Sequence, residues 1–218
     1  MNKLKICTAI LIISSIIIIN SCATPFDYTA FKESRPRSIL VMPVANRSMD
    51  VMAPATYLST SVYPLAESGY YVIPVALSEE MFKQNGYMVA DEAHTIEYEK
   101  LYEIFHADAA LYIVVTKFGI SYRITASVAE AEANVRLIDL RTGLEIWSGS
   151  AYAYDNSGAT SSSGSLAGML ISAAVNQAVN VLSNKAHEVG RKANRQMLTA
   201  GYQNGILYGP YHPKYGTD

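Results

Sequence analysis

The sequence predicts an α/β fold: a mixed sheet with two buried central strands, helices packed on it, a C-terminal β-meander and a long C-terminal helix. Three observations carry this. Ser38 to Ala45 and Ala109 to Val115 are nearly unbroken apolar runs rich in branched residues, as strands buried on both faces require. From Tyr122 onward apolar and polar residues alternate, the mark of strands with one solvated face. From Leu166 the apolar positions Leu170, Ala174, Ala178 and Leu182 recur every four residues, which sets them on one side of a helix.

The chain opens on Lys3 and Lys5, followed by a largely apolar stretch of 12 residues, Thr8 to Ile19, and then Asn20-Ser21-Cys22. A branched aliphatic three residues before a cysteine and a small residue just before it form a lipobox. The stretch is too short for a spanning helix, which takes roughly 20 residues. Residues 1–21 are therefore expected to be a cleaved lipoprotein signal, with Cys22 lipidated. Diacylglycerol on its sulfur and an acyl chain on its new amino terminus give more than one buried hydrocarbon chain, which stable membrane attachment needs. Residues 22–37, with Pro25, Pro36 and mixed charges, read as a tether.

The α/β domain spans residues 38–154. Pro43 interrupts the first strand and predicts a bulge or strand end. Ala53 to Ser68 has helical spacing and stops at Gly69; Tyr70 to Pro74 follows as a short strand. Ser78 reads as the N-cap of a helix ending near Gly86. Tyr98, Leu101, Tyr102 and Phe105 form one apolar side of a helix from about Ile96. In the meander, the apolar phase slips at Val128-Ala129 and predicts a bulge or bend there. Asp139 to Gly143 is turn chemistry, and Leu144 to Tyr154 returns as the partner strand.

Residues 155–200 hold a Ser/Gly-rich loop and the long helix. Between Asp155 and Lys185 lie 29 residues without a charge, so the polar side of the helix, with Asn176 and Asn180, is expected to be covered by this chain or another. After Lys185 charges return, and the helix is expected to continue exposed to about Leu198. Residues 201–218 form a Tyr-rich tail with Tyr202, Tyr208, Tyr211 and Tyr215, which is expected to dock because free tyrosine rings expose much apolar area.

Loss of residues 1–21 leaves 15 basic against 19 acidic side chains and no run of either cation, which disfavours nucleic acid as a partner. It also leaves no free thiol, since Cys7 goes with the signal and Cys22 carries lipid, so neither disulfide nor Cys-ligated metal is expected. His94, His106, His187 and His212 are scattered, and neither a Gly-x-Ser-x-Gly elbow nor a phosphate loop occurs. The reading calls for no metal, no cofactor and no catalytic residue. Asn46, Arg47, Ser48 and Asp50 follow the first buried strand, where α/β folds place ligands, and stand as a binding surface or as the cap of the next helix.

ILVMPVANRS, YPLAESGYYVIPVALSEEMFKQNG, HADAALYI, LIDLRTGLEIWSGSA and LYGPYHPKYG, in that order and after Cys22, resemble a bacterial lipoprotein family of unknown function whose best-known type is a meningococcal surface-antigen candidate. The resemblance implies a body similar to the N-terminal domain of the periplasmic Tol translocation protein, and a place beside a cell-envelope export apparatus. It supplies no catalytic residues. The function expected is a non-enzymatic, lipid-anchored accessory or assembly subunit of an envelope transport complex, at the outer membrane and facing the periplasm. Its partner would be an envelope protein or a second copy of itself, as a homo-oligomer, met through Asn176, Asn180, Tyr208, Tyr211 and Tyr215. The competing readings are a module binding a small ligand or peptidoglycan, and an envelope enzyme.

Overall fold

The computed structural model describes residues 26–122, 127–155, 171–202 and 204–218, without the side chains of residues 122, 127 and 171–183. The elements are α1 (Thr29–Ser34), β1 (Ser38–Val41), β2 (Ala45–Asn46), α2 (Ala53–Glu67), β3 (Tyr71–Val72), α3 (Val75–Gln84), α4 (Ala90–Ala93), α5 (Tyr98–Phe105), β4 (Ala109–Tyr122), β5 (Ser127–Asp139), β6 (Glu145–Asp155) and α6 (Ile171–Leu198). One mixed sheet has the order β3-β1-β4-β5-β6, with β2 continuing beside β4. β1, β2 and β3 run parallel to β4 or to each other, and β4-β5-β6 is the antiparallel meander.

The two apolar runs are the central strands because both faces of each are covered. Ile39, Val41, Leu111, Ile113 and Val115 point one way, toward Tyr57 and Leu65 of α2 and Val189, Ala193 and Met197 of α6. Leu40, Met42, Ala110 and Tyr112 point the other way, toward Phe82, Ala93 and Leu101 of α3, α4 and α5. The period of two along a strand assigns each residue its layer. Ala129, Ala131 and Ala133 of β5 are small, and Gly190 of α6 is smaller still; a Cβ there would lie 2.8 Å from the Phe118 ring and 3.0 Å from Thr56. The long helix thus comes close to the sheet where side chains are short.

Pro43 marks a one-residue insertion between β1 and β2: Val41 pairs with Leu111, yet Ala45 pairs with Val114. Met42 still donates its N–H to the Leu111 carbonyl, so the strand resumes after the break. Bulges are found at Thr116 of β4 and Ile146 of β6, where the register shifts.

Four expectations are corrected, and one element was not foreseen. The phase slip at Val128-Ala129 is no bulge, since Ile120↔Ala129 and Ser121↔Val128 pair in regular register; Tyr122 belongs to β4, seven residues longer than its apolar run, and Val128 to β5. Ser78 is not an N-cap. It is buried in the second turn of α3, its hydroxyl bonded to the Val75 carbonyl, because Pro74 ahead of it already starts the helix. Within the stretch read as a tether, α1 packs on the body through Phe31, which is 4% exposed. The helix after Lys185 is half-buried, with Ala186, Val189, Ala193, Asn194 and Met197 turned inward, since its charges occupy only the opposite side. α4 falls in a stretch to which the sequence assigned no element.

Candidate functional site

β1 and β2 run from one end of the sheet to the other, and two different surfaces lie beyond those ends. Past the C-terminal end of β2 the chain enters the polar loop 46–52. Asn46 organises it: Oδ1 accepts the Ser48 N–H at 2.9 Å and the Ser48 hydroxyl at 2.7 Å, while Nδ2 donates to the Asp50 carbonyl at 2.9 Å. Asp50 Oδ1 accepts the Met52 N–H at 2.9 Å, one residue before α2 begins. Asn46, Ser48 and Asp50 are therefore spent on the loop and on the helix start, as short polar side chains commonly are. Arg47 reaches outward and makes a two-pronged pair with Asp91 of α4, at 2.8 and 2.6 Å. That hydrogen-bonded pair holds the Asp91 carboxyl below its ordinary range and raises the Arg47 guanidinium above its own.

Having used its polar groups inward, the loop turns Met49, Val51 and Met52 to solvent; Met49 is fully exposed. Met88 and Val89, also exposed, stand across a groove of about 460 Å³ whose walls include Val44, Pro54, Leu58 and Phe82. The Glu79–Lys83 pair, 2.8 Å apart, and the Arg47–Asp91 pair edge it. Sequence reasoning singled out the polar members of this loop and missed the apolar ones. The signal was present in Met49-Asp50-Val51-Met52, where large apolar residues stand among turn-forming ones.

Behind this groove His94 Nε2–H donates to the Pro43 carbonyl at 2.7 Å, and the ring meets the Tyr112 ring edge-on. Burial lowers its pKa, partly opposed by that carbonyl. His187 bonds to Thr56, and His212 stacks on Tyr208. The histidines lie apart, and among the described residues no group of His, Cys, Asp or Glu could hold a metal ion.

The second surface lies before the N-terminal ends of β1 and β3, where α1 meets the tail. Ile206 and Leu207 are buried, Tyr70 Oη donates to the Leu207 carbonyl at 2.6 Å, and the Gly209 N–H donates to the Ser68 carbonyl at 2.7 Å. Gly69 and Gly209 make this docking possible: a Cβ on Gly69, whose φ is +90°, would lie 2.5 Å from the His212 Cβ. Of the tail residues read as interface, Tyr208 is half-buried against His212, whereas Tyr211 and Tyr215 are exposed. Phe31, Tyr70, Leu207 and Tyr215 line a cleft of about 420 Å³, with Lys32 and Arg35 beside it. Cys22 and the side chains of Asn176 and Asn180 lie outside the described residues.

An α/β body of this topology, without a metal cluster among its described residues, matches over residues 26–211 a family described as "Putative lipoprotein GNA1162-like". The chain belongs to that family. It is 45% identical over 205 residues to "Putative lipoprotein NMB1124/NMB1162" of Neisseria meningitidis serogroup B, covering 92% of this chain and 94% of that one. The crystal structure of lipoprotein GNA1162 from Neisseria meningitidis superposes with a TM-score of 0.54 at 49% identity, over 66% of this chain and 99% of that one. A PelC dodecamer from Paraburkholderia phytofirmans is similar at a TM-score of 0.46 and 16% identity, over 76% of this chain and 91% of that one, too distant to bear on function. The expected likeness to the Tol protein's N-terminal domain is not among these findings. The family places the chain among membrane-anchored lipoproteins of the cell envelope, and no catalytic family is indicated.

Proposed function

We propose that this lipoprotein is a non-enzymatic accessory or assembly subunit of an envelope transport complex, anchored through Cys22 to the outer membrane and facing the periplasm. The observation that carries the reading is the groove beyond β2, lined by Val51, Met88 and Val89 over an apolar floor, with Met49 and Met52 exposed on the loop beside it. Flexible methionine side chains adapt to a partner's shape, and an apolar patch edged by paired charges is characteristic of protein contact. The loop's own hydrogen bonds hold this patch out without needing a ligand.

Absence of Asp directly after Cys22, in Ala23-Thr24-Pro25, supports the outer membrane as its address. The charge-free part of α6, with Asn176 and Asn180, is a second candidate contact, for a partner or for another copy. Cross-linking in intact cells from a photo-reactive residue at Met49 tests the first contact, with one at Tyr63 as the comparison. Products at position 49 that vanish on Met52→Asp support the reading; equal products at both positions, or none, sink it. The groove also has the size for a small ligand, and a pull-down on isolated sacculi separates peptidoglycan binding from a protein partner.

A further inference from the structure

We infer that the end of the molecule built by α1 and the C-terminal tail seats directly on the phospholipid surface, so that the groove at the other end of the sheet, with Met49 exposed beside it, points away from the membrane. The inference rests on lipidation of Cys22, as the proposed function does, but concerns orientation rather than partner.

Chain length sets the first limit. The described structure starts at Phe26, four residues after Cys22, and a fully extended chain gains at most about 3.5 Å per residue, so Phe26 stays within roughly 14 Å of the backbone of the lipidated residue. Phe26 is fixed to the body: it packs on Tyr28 at 4.9 Å, and Tyr28 Oη donates to the Gly205 carbonyl at the start of the tail. α1 is joined to the tail again where Lys32 Nζ donates to the Asp218 carbonyl at 2.7 Å. The anchor therefore does not lead into a long free tether; it leads at once onto a rigid end of the domain.

The surface at that end has the composition of a bilayer contact. Tyr211 is 68% exposed and Tyr215 45%, and tyrosine is at home at headgroup level, where its ring meets acyl carbon and its hydroxyl meets water. Lys32, Arg35 and Lys214 are exposed beside them, with long stems able to extend along an apolar surface to phosphate. Asp27, Glu33 and Asp218 offset those three positive charges, and Lys32 already donates to Asp218, so the rings rather than the charges hold the seat. The distance between the two ends follows from the strands: Ser38 to Asn46 is eight steps of about 3.3 Å, which sets the groove roughly 25 Å further from the bilayer than the start of β1.

The mature chain has no free thiol once Cys22 is lipidated, so a single introduced cysteine takes a fluorophore uniquely. The lipidated protein carrying Tyr211→Cys, Lys214→Cys or Met49→Cys is labelled and placed in vesicles of phosphatidylethanolamine and phosphatidylglycerol that contain a brominated phospholipid. Labels at positions 211 and 214 should lose most of their emission and the label at 49 should lose none, with little change when salt is raised. Flotation of the vesicles reads the anchor separately. Protein that floats with position 211 unquenched, or with position 49 quenched equally, overturns the orientation and leaves the lipid reading intact. Protein that does not float has no anchor and removes both.

Discussion

Asp139 is 2% exposed yet ionised, because the DLRTG turn surrounds it with donors. Its oxygens accept the Arg141 and Thr142 N–H groups at 2.8 and 3.1 Å, the Arg141 guanidinium at 2.9 Å and the Ser34 hydroxyl of α1. Burial pushes its pKa up, but the Arg141 and Ser34 hydrogen bonds outweigh burial and hold it below the ordinary carboxylate range. A carboxylate whose pKa is lower folded than unfolded stabilises the fold above the unfolded value, near 3.9, and loses that contribution as pH falls through the folded one. Urea midpoints should thus hold near neutral pH and drop below about pH 4. Asp139→Asn should cost roughly 1–3 kcal/mol at pH 7 and flatten that acid limb, which unfolding curves at the two pH values read. Gly69 is the other residue on which much depends. Gly69→Ala combines a left-handed backbone with a clash on His212 and should destabilise by roughly 2–4 kcal/mol, seen as a lower melting temperature and earlier proteolytic cutting of the tail.

Among the elements, α6 shows how a helix that reads as amphipathic and exposed becomes part of the core. Asn194 is fully buried, and its Nδ2 lies 2.8 Å from the Tyr57 carbonyl, 2.7 Å from Thr60 Oγ1 and 3.1 Å from Ser61 Oγ. These three acceptors are all on α2, whose own Thr60 and Ser61 hydroxyls bond back to the carbonyls of Thr56 and Tyr57. The amide therefore fixes the two helices in rotation and along their axes, which apolar contact alone does not specify. Asn194→Ala should cost roughly 2–3 kcal/mol, since it leaves buried acceptors unpaired, and Asn194→Leu should not recover the loss. Chemical denaturation of both variants checks this; a Leu variant as stable as the parent would show that packing rather than hydrogen bonding matters there.

The whole molecule has two ends with different tasks in their composition: an apolar, methionine-rich one beyond β2, and a tyrosine-rich one where α1, Gly69 and the tail meet. The tail divides accordingly. Ile206 and Leu207 cover the domain's own core, whereas Tyr211 to Asp218 lie on the surface apart from half-buried His212. Removing residues 206–218 should expose Tyr70, Phe31 and the C-terminal end of α6, and cost at least about 4 kcal/mol, enough to leave a marginal domain largely unfolded. Removing 213–218 alone should change the melting temperature by only a few degrees. Thermal unfolding of the two truncations, followed by near-ultraviolet circular dichroism, distinguishes these roles.

Many choices were decided by neighbours along the chain, but not all: the Ser78 cap and the bulge at Val128-Ala129 were local readings too, and the helix start at Pro74 and the β4-β5 register overturned them. The two central strands, α2 with its stop at Gly69 and the Asp139 turn all rest on local patterns of apolarity, backbone freedom or size. The sequence also marked loop 46–50, as a binding surface or as the cap of the next helix, because polar residues there follow a buried strand. What those polar groups bonded to was not legible. Asn46 and Asp50 satisfy their own loop, and Arg47 finds Asp91 44 residues away. The burial of Asn194, the seating of Phe31 on the core and the outward turn of Met49 and Val51 are likewise decisions of the tertiary structure. Each depends on which surface comes to lie opposite, and one chain's periodicity describes a side of a helix or strand without naming what will cover it.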